Sequence, residues 1–245
     1  MSSIQQLLLG AGSASKKTYL DDVFSTYLYT GNASDKTITN GIDLAGEGGL
    51  TWIKRRNSTS DHALVDTVRG ASQYLSSNST AANVATGANN NFNSFTSTGF
   101  TLKDDNGNDY FNKNNTPYSS WSFRKTSGFF DVKTFTWNGS SGGYTTLAVN
   151  HDLKSVPGMV IIKSTNGQSN WRVYHRDLGT GDNKMLALNT GDAAHGFNTG
   201  SNNNHFVSVT DTAVTFKSLT NTISYVMYVF AGGESTAATA RSVDF

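Results

Sequence analysis

The chain has no cysteine, only two prolines and few charged side chains. The lack of cysteine and the low charge each exclude certain kinds of site or partner. Without cysteine there is no disulfide framework, no thiol nucleophile and no thiolate zinc site, although the redox compartment stays open. Charged residues make up 15% of the chain, and the formal net charge is +1. Because so small a charge attracts no polyanion, we expect no nucleic-acid partner.

Long apolar runs are lacking too. The N-terminal region has one short run, residues 7–9, with no basic residue before it, which predicts neither a signal peptide nor a membrane span. We interpret residues 1–19 as a docking segment and residues 233–245 as a polar tail. No segment keeps a 3.6-residue period, so the only helices expected are short ones at residues 4–9 and around 192–195.

The residues that are abundant favour β-structure. Glycine reaches 24 of 245 residues, and asparagine, serine and threonine fill the connections, which is typical of a β-rich protein with many uncharged turns. Apolar and polar residues alternate with period two in "SWSFR", which places Trp121 and Phe123 on one face of a strand. In "YVMYVF" both faces are apolar, as in a strand buried inside a stack of sheets.

The chain also repeats itself. Residues 42–56, "IDLAGEGGLTWIKRR", align without a gap to residues 151–165, "HDLKSVPGMVIIKST", and flanking segments such as "TYLYTG" and "TFTWNG" follow in the same order. The repeat predicts an all-β fold of two tandem, homologous β-sandwich domains of the concanavalin-like or jelly-roll type, at residues 20–127 and 128–232. The paired Phe129 and Phe130 are expected to bury apolar area between the two domains.

Patterns that would indicate catalysis, a cofactor or a metal site were not found. The glycines of "AGEGGL" form no Gly-x-Gly-x-x-Gly and precede a predicted strand, so they do not indicate a phosphate cradle. The five histidines lack zinc-ligand spacing, and no Gly-x-Ser-x-Gly is present. Residues 104–109, "DDNGND", fit a hairpin turn better than a calcium loop, because the distal Glu and flanking helices are missing. We therefore assign no catalytic residue, cofactor or metal ligand.

Two polar clusters at equivalent places in the repeat are the candidate ligand or interface residues. The simpler interpretation is a surface salt bridge in each copy; the alternative is a glycan groove in which aromatic rings stack on sugar. Arg55 and Arg56 add charge that the second copy replaces with Ser164 and Thr165. The full candidate set is Trp52, Arg55, Arg56, Asp66, Arg69, Trp171, Tyr174, His175, Arg176 and Asp177.

In combination, several motifs resemble a known family. "TYLYTGN", "NGIDLAGEGGLTWIKRR", "DHALVDTVRG", "SWSFRKTSGFFDV", "VPGMVIIKST" and "WRVYHRDLG" resemble repeat proteins of marine tailed bacteriophages that infect cyanobacteria and pelagic bacteria. The resemblance implies a virion structural protein with β-sandwich units, located in a tail fibre, an appendage or the capsid surface. It carries over no catalytic residues.

Three function classes follow, in order of preference. The first is a non-enzymatic virion protein that forms a homo-oligomer, binds other capsid or tail proteins and contributes to host attachment. The second is a carbohydrate-binding adhesin for a host surface glycan. The third is a glycan depolymerase, which would need two carboxylates about 5–10 Å apart in a cleft. The expected location is the virion, with no membrane partner.

Overall fold

The structure, a computed structural model, describes residues 18–85, 91–103, 110–139, 145–180, 184–194 and 205–232. The predicted tail, the helix at residues 4–9, residues 104–109 and all but the end of the docking segment lie outside these ranges. In chain order the elements are α1 (Leu20–Val23), β1 (Phe24–Thr30), β2 (Lys36–Thr39), α2 (Leu44–Glu47), β3 (Gly49–Arg55), β4 (Ala63–Asp66), β5 (Gln73–Tyr74), β6 (Val84–Ala85), β7 (Phe92–Thr96), β8 (Gly99–Leu102), β9 (Pro117–Arg124), β10 (Phe130–Trp137), β11 (Thr146–Asn150), β12 (Pro157–Ser164), β13 (Arg172–His175), β14 (Leu186–Ala187), β15 (Phe206–Val209), β16 (Ala213–Lys217) and β17 (Ile223–Ala231).

The strands form antiparallel sheets, and each named strand pairs only within its own half of the chain, residues 20–127 (first half) or 128–232 (second half). The first large sheet has the order β1-β9-β3-β4, and the second large sheet has the order β10-β17-β12-β13-β14. The small sheets are β2-β8-β7 and β11-β16-β15, and β5 pairs with β6. The all-β fold is confirmed, whereas the division into two tandem homologous domains stays a prediction.

Three apolar clusters lie between these sheets. One fills the space between the large and small sheets of the first half, around Phe92 and Phe100, and a second does the same in the second half, around Trp137 and Phe216. The third, which we call the central core, joins the two large sheets to each other. Its buried members are Val23, Leu50, Leu64, Leu75, Phe129, Phe130, Val132, Ile161, Trp171, Val173, Val226, Tyr228 and Phe230. Both faces of each large sheet are thus packed, which agrees with the apolar character of β17.

The start of β3 shows why the repeated stretch folds as it does. Asp43 caps α2, because its Oδ1 accepts a hydrogen bond from the Gly46 amide at 2.7 Å. At Gly49 a Cβ atom would lie 2.1 Å from the carbonyl oxygen of Phe123, so only glycine lets β3 approach β9 this closely. The prediction of a turn before a strand is confirmed, with the addition of one helical turn.

The predictions of helices are less accurate than those of strands. Residues 192–194 form no helix, so the expectation of one around 192–195 is wrong for the part that the structure describes. The short helices that the structure does contain, α1 and α2, were not predicted. Each has four residues, too few for a hydrophobic period to appear.

Candidate functional site

The most unusual polar site is a buried ion pair at the edge of the central core. Asp66 is 0% exposed, and its Oδ2 accepts hydrogen bonds from Nε of Arg69 at 2.6 Å and from the Tyr228 hydroxyl at 2.7 Å. Arg69 also donates to the Tyr228 hydroxyl oxygen at 3.0 Å and to Oδ1 of Asn83 at 2.7 Å. Burial raises the pKa of Tyr228 well above its usual range, so the hydroxyl keeps its proton. The network links the first half to β17 of the second.

The prediction of a surface salt bridge in each copy is therefore only partly correct. Asp66 and Arg69 pair, but the prediction that they lie at the surface is wrong, because the second large sheet covers them. In the second copy, Asp177 lies 3.7 Å from Nδ1 of His175 and 3.8 Å from Nε of Arg176. There the Asp177 side chain is 76% exposed, as predicted. One copy of the repeated cluster joins the halves, and the other faces solvent.

Two of the three aromatic residues proposed for a glycan groove are buried. Trp171 is 0% exposed, and its indole Nε1 donates to the carbonyl oxygens of Ser76 and Ser79 in the first half. Tyr174 is buried and packs against Phe206, with ring centroids 5.8 Å apart. Neither ring can stack on a sugar, so the hypothesis of a groove that uses them is wrong.

Trp52 remains available in part. It is half-buried against the central core and lies opposite Trp121 on β9, with ring centroids 6.4 Å apart in an edge-to-face arrangement. Its Nε1 donates to Nδ1 of His62 at 2.9 Å, and burial is the main cause that lowers the pKa of His62. On the same face, Leu28 of β1 is 58% exposed. This corner of the first large sheet extends beyond the central core.

Arg55 and Arg56 lie where β3 ends and the β3–β4 connection begins. Nε of Arg55 donates to Oδ1 of Asn57 at 2.9 Å, and Arg56 is exposed. The backbone amide of Arg56 donates to the Pro117 carbonyl at 2.8 Å, which extends the pairing of β3 with β9. The structure therefore places both side chains beside the β3–β4 connection, away from the buried Asp66.

Lys163 was not predicted as a functional residue, yet it is buried, and among the described residues no carboxylate accepts a hydrogen bond from it. Its Nζ donates to the carbonyl oxygens of Thr80 and Ser169, each at 2.9 Å, so it ties a first-half loop to a second-half loop. Ser169 and Asn83 add backbone hydrogen bonds across the same seam. Burial, with a smaller contribution from nearby Arg172, lowers the pKa of Lys163 to about 8.

This pKa predicts a dependence of stability on pH. Below pH 8 Lys163 is charged in both states, whereas above pH 8 the folded chain loses the proton and the unfolded chain, with a lysine pKa near 10.5, keeps it. The unfolded state then binds more protons, so stability rises with pH, by on the order of 1 kcal/mol between pH 8 and 9.5. Urea unfolding of the wild type and of Lys163→Met should show this rise only in the wild type. Lys54→Met, at the equivalent but more exposed position, should keep it; a rise that survives Lys163→Met would contradict the assignment.

A cleft of about 340 Å³ between the halves is lined by Glu47, Asp131, Asp152 and Lys125, among others. Its deepest carboxylate, Asp131, is already engaged at both oxygens. Oδ1 accepts from the Val132 amide and Lys125, and Oδ2 accepts from the Asp152 amide at 2.8 Å with Lys133 nearby. With both oxygens already bound by donors of the fold, Asp131 suits a structural role better than catalysis.

The described histidines and acidic residues do not gather into a metal site. Within residues 18–85, 91–103, 110–139, 145–180, 184–194 and 205–232, no three His, Asp or Glu side chains lie close enough to hold an ion. Burial lowers the pKa of His151 and, with Arg172, lowers that of His205 to about 4. In those same ranges no helix is long and apolar enough to cross a bilayer.

Comparison with known families gives one match, and it covers both halves. Residues 20–238 match the family described as a domain of unknown function, DUF7483. The chain belongs to the DUF7483 family. No curated protein and no solved structure matches it. Because the matched segment includes both large sheets, the DUF7483 unit contains the central core as well as the two outer clusters.

In this DUF7483 chain, sequence reasoning missed the two residues that join the halves most directly. In the sequence, Tyr228 stands out only as part of an alternating strand, and Lys163 only as the counterpart of Lys54 in the repeat. A signal was present for Tyr228, because the repeat places Trp121 at the equivalent position of the first copy. None was present for Lys163, because the equivalent residue, Lys54, is also a lysine.

Proposed function

We propose that this protein is a non-enzymatic structural component of a bacteriophage virion, located in the tail or on the capsid surface. The observation that carries the proposal is the central core, which joins the halves through buried aromatic rings and a buried ion pair. A chain built this way transmits force and resists opening, as a particle component must. The sequence resemblance to virion repeat proteins of marine phages supplies the biological setting.

The polar groups of the described chain support a structural role over hydrolysis. Asp66 and Asp131 are the buried carboxylates, and both are fully occupied by donors within the fold. Glycoside hydrolysis needs one carboxyl group that can exchange a proton and a second that faces the sugar. The cleft at Asp131 offers ion-paired side chains instead, so we rank a depolymerase last.

We further propose that the halves are two copies of one β-sandwich unit. Their large sheets share a strand order, with β1, β9, β3 and β4 corresponding to β10, β17, β12 and β13. Their small sheets correspond in the same way. Duplication would explain why equivalent residues, such as Leu50 and Met159 or Phe123 and Phe230, meet in the central core.

The test of the particle assignment is the protein content of purified virions. Particles of the phage that encodes this chain would be banded on a density gradient, digested and examined by quantitative mass spectrometry. We expect the chain at a fixed copy number per particle, close to a multiple of the symmetry at its location. Absence from intact particles, with normal abundance in the infected-cell lysate, would contradict the proposal.

A carbohydrate-binding adhesin is the second candidate, and the half-buried Trp52–Trp121 pair favours it. If the corner binds a glycan, titration should quench tryptophan fluorescence, and Trp121→Ala should weaken binding up to about tenfold through lost stacking. Leu188→Ala, which changes an exposed apolar residue of the second half, is the control and should leave affinity unchanged. A glycan array without a reproducible binder would remove this candidate.

A further inference from the structure

The outer edge of β1 is unpaired within the part of the chain that the structure describes. β1 is the terminal strand of the first large sheet and pairs with β9 alone among the strands that the structure describes. Its sequence, "FSTYLYT", contains no charged residue and no proline, and its pairing with β9 runs from Phe24 to Thr30 without a bulge. Natural sheets protect such edges with charges, prolines, bulges or a covering segment. β1 has none of the first three.

The corresponding edge of the second large sheet differs. β10 carries Asp131 and Lys133, and both belong to an ion-pair cluster that includes Asp152. β1 carries no charged side chain, and two large side chains face solvent there: Tyr27 is 36% and Leu28 is 58% exposed. The opposite end of the first large sheet is also covered, because Leu64 of β4 bridges to Leu75. Of these three edges, those of β1, β10 and β4, only the β1 edge is both regular and uncharged.

We propose that β1 pairs antiparallel with β1 of a second copy of this chain, which joins two first large sheets into one continuous eight-stranded sheet. A two-fold axis at Tyr27 sets the register. It places Tyr27 opposite Tyr27 of the second copy, and Thr26 opposite Leu28 of the second copy. The proposal gives a geometry to the homo-oligomer that the sequence predicts, and it does not rest on the particle assignment.

The sequence of β1 fits this register. Reversing the strand about Tyr27 pairs each large side chain with a small hydroxyl residue: Phe24 with Thr30, Ser25 with Tyr29 and Leu28 with Thr26. Such pairs fill both faces without crowding, and the central tyrosine pair adds an aromatic contact. Phe24 also packs against the central core, so the strand is held rigidly for pairing. A second copy therefore satisfies the edge with the same surface on both partners.

The test is the oligomeric state of the full chain, measured by sedimentation velocity over a range of concentrations. The wild type is expected to dimerise. Thr26→Lys/Leu28→Lys places a lysine opposite a lysine at two symmetric positions, and it should raise the dissociation constant at least about tenfold. Thr26→Glu/Leu28→Lys puts opposite charges at those positions and should restore most of the affinity. Both positions are exposed, so each variant should fold, as circular dichroism would verify.

A matched control uses the equivalent edge of the second half. Thr134→Lys/Thr136→Lys introduces the same charges at two exposed positions of β10 and should leave dimerisation unchanged. A monomeric wild type would overturn the proposal, as would a dimer that the like-charged variant leaves intact. Failure of the opposite-charge variant to recover affinity would overturn the register. Detection of the chain in virions tests the particle assignment separately and does not depend on any of these results.

Discussion

Asp66→Ala is expected to lower the free energy of unfolding by about 3–5 kcal/mol, because it leaves the buried guanidinium of Arg69 without its counter-ion. Arg69 has a side chain that is 4% exposed, so water cannot replace the lost carboxylate. The Tyr228 hydroxyl also loses its acceptor, and an unsatisfied buried hydroxyl adds to the cost. Equilibrium unfolding in urea, followed by tryptophan fluorescence, would measure the change.

Two further variants separate the ion pair from simple loss of a side chain. Asp66→Ala/Arg69→Met removes both charges and should recover a large part of the lost stability, since an apolar replacement of a buried pair is often nearly neutral. Asp177→Ala, in the exposed copy of the cluster, should change stability by less than about 1 kcal/mol. Equal effects of Asp66→Ala and Asp177→Ala would show that the first pair does not join the halves as described.

Phe130→Ala is expected to cost about 3–5 kcal/mol through lost burial and the cavity that remains. Phe130 is 0% exposed, and its ring lies 5.6 Å from that of Phe123 in the first half and 5.0 Å from that of Phe230 in the second. The cavity therefore opens between the large sheets, and it should weaken the coupling of the halves as well as total stability.

The control for this variant is Val156→Ala, which shortens an exposed apolar side chain and should stay within about 0.5 kcal/mol of the wild type. Unfolding of Phe130→Ala should broaden or divide into two steps, because each half keeps its own outer cluster. A loss of less than 1 kcal/mol, with a single sharp transition, would mean that Phe130 contributes little to the central core.

The strands could be predicted because their signals are local. Alternation in "SWSFR" and the glycine before "LTWIK" each depend on a few adjacent residues, and β9 and β3 formed where these patterns indicated. The repeat predicts a strand that begins after Gly158, and β12 starts two residues earlier, at Pro157, since proline is tolerated at the first position of a strand. The expected contact through Phe129 and Phe130 was also correct.

The candidate site could be predicted only in part, because its chemistry depends on distant partners. Asp66 and Tyr228 are 162 residues apart, and no local pattern shows that one will cover the other. The same holds for Trp171, whose indole contacts a loop of the first half. The repeat aligns His62 with Trp171, yet the packing of two non-identical sheets buries Trp171 fully and His62 only partly.

The central claim is that the two halves share one core and unfold as a single cooperative unit. Differential scanning calorimetry of the full chain tests it most directly, by comparing the calorimetric enthalpy of unfolding with the van't Hoff enthalpy from the same transition. A shared core predicts one transition with a ratio of about 1. Two resolved transitions, or a ratio near 2 for halves that melt independently, would contradict the claim.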